Sequence, residues 1–165
     1  KVDVVTANDK THQDASGLQI LPTLNFDPVN IDNYAALLVP GGNPDEIVGD
    51  GRVRALIQGF HDADKVIGGI CAGVLVLGDA GVLKGKTITH NYTAKFAPEQ
   101  VVEFTKQFWT DANYQEALCV QSGRIVTAMP NGYVEFAIAL ATILDVIPEE
   151  KAEGTKRYYK GELPN

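Results

Sequence analysis

The stretch Val66-Ile-Gly-Gly-Ile-Cys-Ala-Gly-Val-Leu-Val-Leu77 constrains this chain more than any other. A short apolar run, Val66 to Ile70, reads as a buried strand, and the apolar residues Val74, Leu75 and Leu77 read as a helix over 72–80 that stops at Gly81. One reactive side chain, Cys71, stands at the junction, with Gly69 two residues before it and Gly73 two after. A strand that turns directly into a helix through small residues is the layout of a nucleophile elbow, whose central residue sits in strained backbone. At a helix N-terminus the thiol meets the positive end of the macrodipole, which favours thiolate. The free N–H groups of Ala72 and beyond can hold an oxyanion. The competing reading is an ordinary buried cysteine at a strand end, and G-x-C-x-G alone does not separate the two.

The surrounding pattern supports the first reading. Tyr34 to Val39 is an apolar run stopped by Pro40-Gly41-Gly42-Asn43, as expected of a strand buried on both faces. Val53, Leu56, Ile57 and Phe60 mark an amphipathic helix over 51–64. Val2 to Thr6 reads as a strand, residues 7–33 show no sustained helical period, and Leu18 to Leu21 reads as a short strand. Thr87 to Thr89 is a further strand, and residues 98–108 a helix. Segments 118–121 and 124–127 form a hairpin around Ser122-Gly123. Residues 133–146 and 148–160 read as the last helices. Strands alternating with helices indicate a parallel α/β sandwich, and the length suits one domain over 1–165. In such a sheet the carboxyl ends of adjacent strands converge on one crevice. That brings Gly41 and Gly42, with their N–H donors, opposite Ala72. His90 is the third element, because it follows the 87–89 strand and its neutral imidazole can take a proton or orient a thiolate.

The remaining chemistry-bearing residues have weaker claims. His12 lies in a polar loop, His61 lies late on an amphipathic helix, and Cys119 lies in an apolar strand as core. Phe108, Trp109, Tyr158 and Tyr159 are read as packing residues in preference to a site cover or an interface. Fourteen Lys plus Arg against 21 Asp plus Glu give a net charge of −7, and the basic residues form no stripe, so no nucleic-acid partner is expected. No apolar run reaches about 18 residues, so no membrane span is expected. No leader pattern is visible, and two cysteines make no disulfide framework, which points to a reducing cytoplasm. No Cys/His spacing fits a metal, and no phosphate-cradling glycine loop occurs, so no metal or organic cofactor is expected.

Three segments in order, ALLVPGGN at 36–43, IGGICAGVLVLGDAGVLKGKTITH at 67–90 and GRIVTAMPNGYVEFAIAL at 123–140, resemble the ThiJ/PfpI superfamily of the class I glutamine amidotransferase-like fold. The resemblance implies a flavodoxin-like three-layer sandwich with a mostly parallel central sheet, a homodimer and a small-molecule substrate. It makes Cys71 the nucleophile, places Gly41, Gly42 and Ala72 around the oxyanion pocket, and puts His90 where several members hold a histidine near the thiol. Members include proteases and amidases, glyoxalase or deglycase-type enzymes, isonitrile hydratases and redox-linked stress proteins. The implied function is a cysteine-dependent enzyme acting on a small carbonyl or amide electrophile. The alternative is a non-catalytic redox or stress-response protein whose elbow cysteine is oxidised. A glutaminase half of an amidotransferase would need a late His-x-Glu, and no histidine follows His90.

The chain departs from the family pattern in two places. Members usually carry a strand, a loop with an acidic residue that touches the thiol, and a helix before the segment that Val2 to Ala7 resembles. Here the chain opens on Lys1 and enters that segment at once. Parallel strands need a crossover of a dozen or more residues, and 7–33 offers no helix for one. The expectation is that an upstream piece of about 25 to 35 residues belongs to the native protein, bound in place or outside this chain. The second departure is Ala72, where protease-like members tend to carry histidine, together with Ala128-Met129-Pro130 in place of a Gly-rich or Arg-bearing version.

Overall fold

A computed structural model describes residues 1–14, 16–27 and 29–162. Its elements are β1 (His12–Gln13), β2 (Gln19–Ile20), β3 (Ala36–Val39), α1 (Gly51–Asp62), β4 (Val66–Ile70), α2 (Ala72–Asp79), β5 (Thr87–Ile88), α3 (Glu99–Thr105), β6 (Asn113–Tyr114), β7 (Cys119–Ser122), β8 (Ile125–Ala128), α4 (Tyr133–Ile143) and α5 (Glu149–Tyr159). The main sheet has the order β3-β4-β8-β7. β3, β4 and β8 run parallel, and β7 joins β8 antiparallel through the Ser122-Gly123 turn, where Gly123 takes a positive φ of 63°. The architecture is a three-layer α/β sandwich with a mostly parallel sheet.

The continuous apolar runs are explained by cover on both faces. Ile67 and Ile125 point into a core with Ile57 and Phe60 of α1 and Val74 and Leu77 of α2. Val66, Val126 and Ala128, the alternate positions, pack on Phe136 and Leu140 of α4. Each fully buried aliphatic side chain of this kind contributes about 1.5–3 kcal/mol. β3 stands at the edge of the main sheet, and its Leu38 is 51% exposed on the α4 side. Among the described residues, no helix is long and apolar enough to cross a membrane.

Several local expectations need correction. Val2 to Thr6 forms no strand. Among the described residues, its β-branched positions meet no ladder partner: the Val4 N–H donates to Thr23 Oγ1 at 2.8 Å, and the Val4 carbonyl accepts the Thr23 N–H at 2.8 Å. Of Leu18 to Leu21, only Gln19–Ile20 is strand, paired with β1 in a small separate hairpin. The helix expected over 98–108 is α3 followed by a 3-10 turn at Lys106–Phe108, and the one expected over 133–146 ends at Ile143. Tyr158 and Tyr159 are 72% and 68% exposed, so these two are not core-packing residues.

An ion pair braces α1 against α2. Arg54 donates from Nε and Nη2 to Asp79 at 2.9 and 2.8 Å, and the Gly49 N–H donates to the same carboxylate at 2.8 Å. The Asp79 side chain is only 4% exposed. Burial alone would push its pKa up, but the Arg54 and Gly49 donors outweigh burial and hold it below the ordinary value of 3.8. A carboxyl depressed in the folded state stabilises fully above its unfolded pKa and loses that contribution as pH falls through the folded one. Asp79→Ala is expected to cost about 2 kcal/mol near neutral pH. Its difference from wild type should shrink below pH 3.8, as followed by denaturant melts across pH. A difference that grows on acidification would contradict this account.

Candidate active site at the end of β4

The chain reverses at Cys71 because the strand and the helix it joins are packed too tightly for an ordinary loop. Cys71 is the N-cap of α2 with φ 56° and ψ −124°, a conformation that L-residues avoid and that costs of order 1–3 kcal/mol. Its N–H is anchored on the Ala128 carbonyl at 3.0 Å, at the end of β8. Gly69 and Gly73 make the turn fit. A Cβ on Gly69 would lie 2.7 Å from Leu77 Cδ1, and one on Gly73 would lie 2.1 Å from the Val39 carbonyl oxygen. Gly73 thus lets the first turn of α2 sit directly on the end of β3. Cys71 is partly exposed.

Pro40-Gly41-Gly42 completes the other wall. A Cβ on Gly41 would lie 2.7 Å from Cys71 Cβ and 3.2 Å from Sγ, so only glycine leaves room for the Cys71 side chain. Gly42 has φ 133° and faces open space. The N–H groups of Ala72 and Gly73 occupy the first turn of α2, where no intrahelical acceptor exists. The structure therefore brings Cys71, Ala72, Gly41 and Gly42 to one crevice at the carboxyl ends of β3 and β4.

His90 enters from the segment after β5 and is 3% exposed. Its ring stacks on Trp109 at 4.2 Å and 18° and packs at a tilt on Tyr114 at 4.8 Å. Burial lowers its pKa to about 4, so the ring is neutral at physiological pH. The Tyr92 N–H donates to Nδ1 at 3.1 Å. A backbone N–H can only donate, so Nδ1 is the acceptor and the proton of the neutral ring resides on Nε2. His90 can donate a hydrogen bond but is poorly placed to act as a base. Burial first, then a charge on Cys71, raises the pKa of the Tyr92 hydroxyl.

Trp109 packs against the core, as the sequence suggests, and its ring also forms one face of the His90 pocket. Sequence reasoning did not find Tyr92, Tyr114, Thr89 or Thr127, which contact the site only through tertiary structure. Cys119 is half-buried beside Glu135, and burial with that carboxylate raises its thiol pKa to about 11. His12 and His61 lie elsewhere, beside Asn8 and Asp62. Among the described residues, no group of three His, Cys, Asp or Glu side chains could hold a metal. Past the end of β8, an open groove of about 390 Å³ is lined by Lys95, Phe96, Glu116, Ala117, Leu118, Met129 and Asn131, and by none of Cys71, Ala72, Gly41, Gly42 or His90.

Comparison with known proteins agrees with this geometry. Over 135 residues the chain is 30% identical to the protein MJ0967 of Methanocaldococcus jannaschii, covering 81% of this chain and 62% of that protein. It covers only 35% of each of two longer Arabidopsis thaliana DJ-1 homologues it also matches. It is 35% identical over 80 residues to Deglycase TK1284 of Thermococcus kodakarensis, 48% of each chain. The crystal structure of the DJ-1 superfamily protein Atu0886 from Agrobacterium tumefaciens superposes with a TM-score of 0.78 at 26% identity, covering 96% of this chain and 81% of that one. The DJ-1/PfpI family profile matches residues 1–143. With the elbow cysteine, the glycine wall and this sandwich in place, the chain belongs to the DJ-1/PfpI family, with the α/β flavodoxin-like fold of that group.

Proposed function

We propose that this protein is a cysteine-dependent enzyme acting on a small carbonyl or amide electrophile. The observation that carries the reading is Cys71, partly exposed in strained backbone at the start of α2 with Gly41 cleared away from its sulfur. In this mechanism the Cys71 thiolate attacks the electrophilic carbon and forms the C–S bond. The carbonyl electron pair moves onto oxygen, which the N–H groups of Ala72, Gly41 and Gly42 receive. His90 donates from Nε2 to orient the thiolate or the developing oxyanion. It does not remove the thiol proton, because its Nδ1 is occupied and its pKa is about 4. Similarity to a protein named a deglycase supports a carbonyl-derived substrate. Ala72, where protease-like members tend to carry histidine, disfavours a peptidase. A homodimer in a reducing cytoplasm completes the reading, supported by the half-exposed Leu38 and two free thiols, and sedimentation checks the dimer.

The test is Cys71→Ser against methylglyoxal, small amides and peptides. Wild type should turn over at least one carbonyl or amide substrate and the variant none; equal turnover by the two would exclude the mechanism.

A second reading, a redox-responsive protein, is favoured by one feature. The register Ile70–Ala128–Cys119 spaces the two cysteines two strands apart, so Cys119 does not offer a disulfide partner. Oxidation of Cys71 would then stop at sulfenic or sulfinic acid. Stoichiometric oxidation of Cys71 by mild peroxide, with no turnover of the panel, would select this reading over catalysis.

A further inference from the structure

β5 leads into His90, and side-chain hydroxyls dock it on the β7–β8 hairpin. The Thr87 N–H donates to Ser122 Oγ at 3.2 Å, and the Thr89 N–H donates to Thr127 Oγ1 at 2.9 Å. The Thr89 hydroxyl in turn donates to the Ala117 carbonyl at 2.7 Å. Thr89 and Thr127 are 0% and 1% exposed. Packing alone does not call for a hydroxyl at 127. The neighbours Ile125 and Val126 are buried aliphatics, and valine has the same shape and a higher strand preference. A buried N–H left without an acceptor is what the hydroxyl prevents.

The position of Thr127 matters because of the residue after it. The Ala128 carbonyl accepts the Cys71 N–H. Two consecutive residues of β8 therefore hold the two halves of the site, one through a main-chain carbonyl and the other through a side-chain oxygen. We propose that Thr127 is a positioning residue, whose hydroxyl, through the Thr89 N–H, sets the place of His90 relative to the Cys71 thiol. The assignment rests on the reading above, in which His90 presents Nε2–H to the site. Its consequence is that Thr127 and His90 act as one unit on the thiol.

The test is a double-mutant cycle read by the rate of iodoacetamide alkylation at Cys71 near neutral pH, which needs no substrate. His90→Ala and Thr127→Val should each slow alkylation by about tenfold, the scale of one hydrogen bond to a charged group. The double variant should be no slower than either single one. Thr127→Ser, which keeps the hydroxyl, should restore the wild-type rate. Thermal melts of all four variants report on folding separately. A wild-type rate in Thr127→Val beside a slowed His90→Ala would overturn the positioning role alone, as would effects that simply add in the double variant. A wild-type rate in His90→Ala would overturn the part given to His90 in the proposed function, and this proposal with it. If Thr127→Val does not fold, Thr127→Ala, which also removes the acceptor of the Thr89 N–H, goes through the same cycle with the same contrary outcomes.

Discussion

Gly73→Ala is expected to destabilise the protein by about 3 kcal/mol, lowering the melting temperature by roughly 6–12 °C for a chain of this size. The added Cβ would lie 2.1 Å from the Val39 carbonyl oxygen and 2.9 Å from the Pro40 carbonyl oxygen. Both are main-chain atoms at the end of β3, so no side chain can swing away to make room. Relief requires the first turn of α2 to lift off the sheet, which opens the core around Val74 and Leu77. Gly154→Ala is the control. Gly154 also lies within a helix, α5, but its Cβ would meet nothing within 4 Å. There alanine is expected to stabilise by about 0.5–1 kcal/mol through helix propensity and a less flexible unfolded chain. Opposite signs in thermal or denaturant melts would support the packing account. Equal shifts would mean that Gly73 does not seat the helix.

Gly41→Ala should have the opposite profile, a small stability change and a large loss of reactivity. Gly41 has no positive φ, so its backbone accepts alanine; the obstacle is the Cys71 side chain, with Cβ at 2.7 Å and Sγ at 3.2 Å. The cheapest response is for the Cys71 side chain to give way. A displacement of about 1 Å at a reacting atom is worth about 100-fold in rate. Gly42→Ala, one residue on, should separate strain from contact. Its φ of 133° is costly for alanine, at about 1–3 kcal/mol, but the space around it is open and the sulfur is untouched. Cys71 alkylation should therefore fall in Gly41→Ala while melting falls in Gly42→Ala. An unchanged alkylation rate in Gly41→Ala would mean that this glycine does not shape the site.

What the sequence made legible follows from how local each feature is. The elbow could be read because its strand, cysteine, three glycines and the first turns of its helix occupy twelve consecutive residues, and each glycine there has a steric reason. The β3 run and its Pro-Gly-Gly stop were legible for the same reason, since cover on both faces writes a continuous apolar run. The failures were of two kinds. Val2 to Thr6 has strand-forming residues, but a strand also needs a ladder partner, and that segment bonds a loop threonine instead. β1 and β6 are two residues long and carry no period to detect. The His90 pocket draws Tyr92, Trp109 and Tyr114 from separate segments, so its neutrality and the direction of its hydrogen bond are tertiary properties. Thr127 reads in sequence as an ordinary strand residue; only the buried Thr89 N–H gives its hydroxyl a purpose.

The proposed chemistry depends on the elbow presenting one reactive sulfur, and the protein carries its own internal comparison. Cys71 is partly exposed at the start of α2, whereas burial beside Glu135 raises Cys119 to about 11 and leaves it almost no thiolate near neutral pH. Limited iodoacetamide treatment of the native protein, followed by peptide mass spectrometry, tests this directly. Cys71 should be modified to completion while Cys119 remains a free thiol until the protein is unfolded. Modification of Cys119 first, or a Cys71 that reacts only after denaturation, would contradict the elbow as the seat of the chemistry.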